Sequence, residues 1–176
     1  MKQWQQRNYA GLSRVMFLIA WLLFMAMLVY FFSSWIAYQN NPNRDLNSHV
    51  TQSGVREIVL KENNAHHFVL NGKVNGENVE FMIDTGSSNV SIPGALADKL
   101  QLTASYPILA RTANGTITVY ATTIKVLEIG PIRLYNVPAS INIHMASDQI
   151  LLGMSVLKQL EFTLRNGHMI LIQYPK

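Results

Sequence analysis

Two patterns of apolar and polar positions divide this chain. From Val15 to Phe32 it reads VMFLIAWLLFMAMLVYFF, and no charged residue occurs between Arg14 and Arg44. Eighteen helical residues at about 1.5 Å each approach the thickness of a hydrocarbon core. The run is apolar on every side, unlike the surface helix of a globular protein, which keeps a polar face for water. It also exceeds the usual apolar core of a signal peptide, the competing reading, and no Ala-x-Ala-like site follows it. A transmembrane helix is therefore expected over residues 15–38, with Trp21, Tyr30, Trp35 and Tyr38 as interfacial anchors against lipid.

After this block the period changes. Residues 39–54 are polar, include Asn-Asn-Pro-Asn and show no periodicity, so they read as a tether. Residues 55–176 then form a domain of about 120 residues, enough for one small core. Alternating or apolar runs predict strands near residues 56–61, 66–74, 78–84, 107–113, 116–129, 132–143, 161–165 and 168–173. Asn-Gly pairs at Asn71-Gly72, Asn75-Gly76, Asn114-Gly115 and Asn166-Gly167 mark hairpin turns, because both residues tolerate positive φ. Short helices fit residues 94–100 and 155–160. The expected class is mainly β, a small closed barrel with one or two short helices behind a single N-terminal transmembrane helix.

Charge adds a topology to this division. Lys2, Arg7, Arg14 and Arg44 against Asp45 give +3 of the net +4 within residues 1–49, so the basic character belongs to the membrane-proximal end. With Lys2, Arg7 and Arg14 in residues 1–14, the positive-inside rule puts that segment in the cytoplasm and the domain outside, in a bacterium the periplasm. The lack of cysteine agrees with an oxidising compartment. The domain itself is nearly neutral, without the basic stripe or interleaved aromatics of a nucleic-acid binder.

Candidate chemistry sits where one strand ends. Val79, Phe81 and Ile83 alternate with Glu80 and Met82, and the strand runs into Asp84-Thr85-Gly86-Ser87-Ser88. A rigid element thus fixes the Asp84 carboxylate, Gly86 lets the backbone approach closely, and the Ser87 and Ser88 hydroxyls are placed to donate to it. This arrangement resembles the active-site loop of the aspartic proteases, and the chain over residues 68–172 resembles the retropepsin-like, bacterial membrane-anchored members of that clan. Two further features fit the resemblance. Ile150-Leu151-Leu152-Gly153 matches a hydrophobic-hydrophobic-Gly element that in the family packs beside the Asp-Thr-Gly loop. Arg111 to Val119, with Ala113, Asn114, Gly115 and Thr116 at its tip, falls where a family member carries its mobile flap.

The resemblance implies a small β-barrel of the retroviral protease type and hydrolysis of peptide bonds in extended peptide or protein substrates, with no cofactor and no metal. It also implies two aspartates, and the chain supplies one. Asp98 and Asp148, the other aspartates after Asp84, are not followed by Thr-Gly. The expectation is a homodimer on a twofold axis, with one Asp84 from each protomer, Thr85 bonding across the axis and Ser87 orienting the carboxylate. A membrane-anchored binding module that keeps the fold without turnover is the alternative. Ile108, Ile117, Val119 and Ile141 are expected walls of the substrate cavity. The histidines have no metal-site spacing, and no Gly-x-Ser-x-Gly elbow makes Ser87 or Ser88 a nucleophile.

Overall fold

The computed structural model describes residues 3–112 and 115–175, with side chains from residue 11 onward. The chain divides into two units, one ending at Gln39 and the other Asn40–Lys176. Helix α1 (Gln3–Asn40) makes up the first. Its stretch from Gly11 to Asn40 is long and apolar enough to cross a membrane, and the apolar side chains along it are exposed.

The second unit is mainly β. In chain order it contains β1 (Asn47–Val50), β2 (Arg56–Lys61), β3 (Val69–Val74), β4 (Glu77–Ile83), β5 (Val90–Pro93), α2 (Gly94–Ala97), β6 (Pro107–Thr112), β7 (Gly115–Ile129), β8 (Ile132–Asn142), β9 (Gln149–Leu152), α3 (Met154–Leu157), β10 (Glu161–Arg165) and β11 (His168–Gln173). One sheet has the order β1-β2-β11-β10. In the other, hydrogen bonding from β3 through β4, β9, β5, β8 and β7 returns to β3, and β6 hangs on the free edge of β7.

This ring closes at two narrow seams. β3 and β7 share the pairs Lys73↔Glu128 and Val74↔Leu127, and β5 meets β9 at Ser91↔Leu151. The interior is filled by alternate residues of the strands, with Phe81, Leu70, Ile92, Ile124, Ile150 and Leu152 fully buried. Ile58, Leu60, Met169 and Leu171 of the smaller sheet join the same core.

Two turns are as the sequence predicts: Asn75 between β3 and β4 and Asn166 between β10 and β11 have φ of 52° and 50°. Asn71-Gly72 is different, because it lies inside β3. A Cβ at Gly72 would stand 2.6 Å from the Phe81 ring and collide with the Glu128 carbonyl, so the glycine serves the close approach of β7 that shuts the ring.

The expected tether over residues 39–54 also needs correction. Asn41 and Asn43 are buried. The Asn43 amide donates to the carbonyls of Lys61 (2.9 Å) and Val69 (2.7 Å), and its oxygen accepts from the Lys61 amide (2.7 Å). Asn41 donates to Glu80 and Asn71, and β1 pairs antiparallel with β2. The polarity that suggested a solvated linker instead satisfies backbone groups of the domain, which starts near Asn40 rather than Val55.

Candidate active site

Asp84 follows directly on Ile83, the last residue of β4. The Asp84 amide donates to the Leu152 carbonyl at 3.0 Å, extending the parallel register Met82↔Leu151 and Ile83↔Leu152 that ties β4 to β9. The turn that follows is held by its own side chain: Oδ1 of Asp84 accepts from the Gly86 amide at 2.9 Å, and the Ser87 amide donates to the Asp84 carbonyl at 3.2 Å. Asp84 is half-buried, while Thr85 and Gly86 are exposed. One carboxylate oxygen is thus fixed by a backbone donor and the other remains available for chemistry.

The Leu-Leu-Gly element lies against this loop. Leu151 faces the cavity beside Asp84 and the Leu152 carbonyl holds the Asp84 amide. Gly153 lets the chain pass beneath the loop: a Cβ there would stand 2.6 Å from the Ser87 carbonyl and closer still to that of Asn89. The amides of Met154 and Ser155 then donate to the carbonyls of Ser87 (2.8 Å) and Ser88 (2.9 Å), so the start of α3 buttresses the turn.

Ser87 differs from its expected role. Its hydroxyl donates to the Asn89 carbonyl at 2.8 Å and closes the turn locally, and the Gly86 amide holds the carboxylate instead. A hydroxyl so close to a free carbonyl two residues on satisfies it before reaching back to a side chain.

Asp84 opens into a cavity of about 620 Å³. Strand β6 forms one wall, and Ile108, Ile117 and Val119 line it as expected. Ile141 does not. It lines a separate cavity of about 390 Å³ with Tyr120, Leu102 and Ile143, because β8 turns Ser140 and Asn142, not Ile141, toward Asp84. At the hairpin tip Ala113 and Asn114 lie outside the described residues. Gly115 has φ of 117°, its carbonyl accepts from the Thr112 hydroxyl at 2.8 Å, and Thr116 is exposed. Neither Asp98 nor Asp148 lines the Asp84 cavity.

The sequence reading missed part of the cavity wall: Asn89, Ser91, Ser140 and Asn142. The signal was alternation, since Ser91 separates Val90 from Ile92 and Ser140 separates Ala139 from Ile141. Small polar residues on the inner side of otherwise apolar strands mark a solvent-filled face.

Comparison with known proteins agrees with this geometry. A protein of a Sinorhizobium species, described as an "Uncharacterized protein in cobV 5'region", is 32% identical over 111 residues, which make up 61% of this chain and 48% of that protein. The chain therefore spans about half the length of that relative. The crystal structure of a retropepsin-like aspartic protease from Rickettsia conorii superposes with a TM-score of 0.58 at 28% identity, covering 73% of this chain and 96% of that one. The family model described as "gag-polyprotein putative aspartyl protease" matches residues 70–159, from β3 through α3 and so across the whole Asp84 loop and its supports. With just over half of its length in that match, and with this fold, the chain belongs to the retropepsin-like aspartic protease family.

Proposed function

We propose that this protein is a membrane-anchored aspartic endopeptidase, active as a homodimer in which each protomer contributes one Asp84. The observation that carries this reading is the geometry of Asp84: a carboxylate fixed by a backbone amide at the floor of a cavity that a β-hairpin borders. Two carboxylates brought close together share one proton, because ionising both is costly. The ionised Asp84 takes a proton from a water, whose oxygen attacks the peptide carbonyl carbon. The protonated partner gives its proton to the carbonyl oxygen. Collapse of the tetrahedral intermediate breaks the C–N bond, and the amine leaves with a proton returned by the pair.

In this reading Thr85, exposed on the turn, bonds across the twofold axis. The hairpin with Ala113, Asn114, Gly115 and Thr116 at its tip is the flap, whose backbone meets an extended substrate. Helix α1 is the anchor, with residues 1–14 cytoplasmic and the domain periplasmic.

The test is cleavage of an unfolded protein by the full chain in detergent micelles, between about pH 4 and 8, beside Asp84→Asn. Wild type is expected to be active and the variant to lose at least about a thousandfold. Equal activity in the two, or none from wild type at concentrations where it dimerises, overturns the proposal.

A further inference from the structure

The cavity at Asp84 has two unlike sides. Ile108, Ile117 and Val119 make one mainly apolar, with Arg111 and Thr112 of β6 at the same wall. On the other, three positions lie side by side on neighbouring strands: Leu151 on β9 is paired with Ser91 on β5, and Ser91 with Ser140 on β8. Asn142 stands two residues along β8 on the same face. Leu151 precedes Leu152, whose carbonyl holds the Asp84 amide, so this row lies next to the reacting centre.

The polar groups of this row are poorly engaged. Ser140 is only 7% exposed, yet its hydroxyl reaches no nearer than 3.4 Å to the Val90 carbonyl. Among the described residues the Ser91 hydroxyl has only the Met145 sulfur, at 3.9 Å. The Asn142 oxygen accepts from the His144 amide, while its Nδ2 has no acceptor among the described residues. Hydroxyls and an amide so loosely held by the protein face the solvent of the cavity, and a ligand that displaces that water must offer them acceptors in its place.

We propose that Ser91, Ser140 and Asn142 form a polar subsite that selects substrates with an uncharged hydrogen-bonding side chain, a carboxamide or hydroxyl, beside the scissile bond. An acceptor oxygen on the substrate meets the Asn142 amide and the two hydroxyls. A carboxylate on this row would meet the same donors but would sit beside the negative charge of the Asp84 pair, while the cavity's cation, Arg111, belongs to the β6 wall. An aliphatic side chain would strand all three groups, and sites built on hydrogen bonds discriminate strongly against analogues that lack them. This inference rests on the proteolytic reading for its substrate but not for its readout.

The experiment presents matched peptides, differing at one position as Asn, Gln, Ser, Thr, Asp, Leu or Val, to the full chain in detergent. Binding is measured on the Asp84→Asn variant and cleavage on wild type. The Asn, Gln, Ser and Thr peptides are expected to bind at least about tenfold more tightly than the Leu and Val peptides. Combining Ser91→Ala with Ser140→Ala should cut that ratio severalfold, leaving the share carried by Asn142, whereas Ser140→Thr, which keeps the hydroxyl and suits a strand, should retain it. Selective binding without cleavage would sink the protease reading and leave the subsite standing. An aliphatic or acidic preference, a ratio unmoved by the double substitution, or no peptide binding overturns the subsite.

Discussion

Asp84 depends on residues that carry no charge. Its amide hangs on Leu152, its carboxylate on Gly86, and the turn rests on a carbonyl pair that tolerates only Gly153 beneath it. Gly153→Ala should therefore cost about 1–3 kcal/mol of stability, as overpacking against rigid backbone does, and, on the proposed function, should lower turnover more than its melting temperature suggests, because the displaced loop holds Asp84. A thermal melt run beside an activity assay checks both. The Asp84-Thr85-Gly86 turn was legible in the sequence because strand alternation and turn chemistry are local. The partner of Ser87 was not legible, since a hydroxyl chooses between a carbonyl and a carboxylate only once the turn has closed. Ser91 and Ser140 escaped notice for a related reason: their shared wall exists only when β5 and β8 lie parallel.

At the scale of elements, local hairpins were foreseen and distant pairings were not. The strands at 56–61, 161–165 and 168–173 coincide with β2, β10 and β11. β1, β5 and β9, each four residues long, were missed as strands: β5 and β9 are given order by neighbours far away in sequence, whereas β1 forms a hairpin with β2 out of polar residues without an apolar alternation. The predicted helices over 94–100 and 155–160 condense to α2 and α3, four residues apiece. The segment before β1 matters most. Asn43 bonds the backbone of both β2 and β3, and Glu80 on β4 gathers Asn41 and Gln149. Asn43→Ala strands these partly buried backbone groups and should cost about 2 kcal/mol, read as a lower urea midpoint with unchanged slope. A shift too small to measure would mean that residues 41–43 only decorate the barrel. A chain begun at Val55 should be less stable than one begun at Asn40.

For the whole molecule, the proposed sharing of the site between two protomers predicts how activity responds to mixing. If wild type and Asp84→Asn chains are exchanged in equal amounts, random pairing leaves about one quarter of the dimers with both carboxylates. Activity should fall to that fraction, whereas a site complete within one chain would leave half. Specific activity should also rise with concentration, and less steeply once the chains are confined in a bilayer, where effective concentration is already high. The ring of strands carries a further consequence. It is joined at Ser91↔Leu151 by one pair, and that pair forms the floor of the cavity at Asp84. Amides there should exchange with solvent sooner than those of the β7–β8 ladder, because so short a seam opens without unfolding the rest. A peptide or inhibitor that touches both edges acts as a clasp on the barrel, so binding can be followed by the heat needed to melt the protein, with no cleavage to observe.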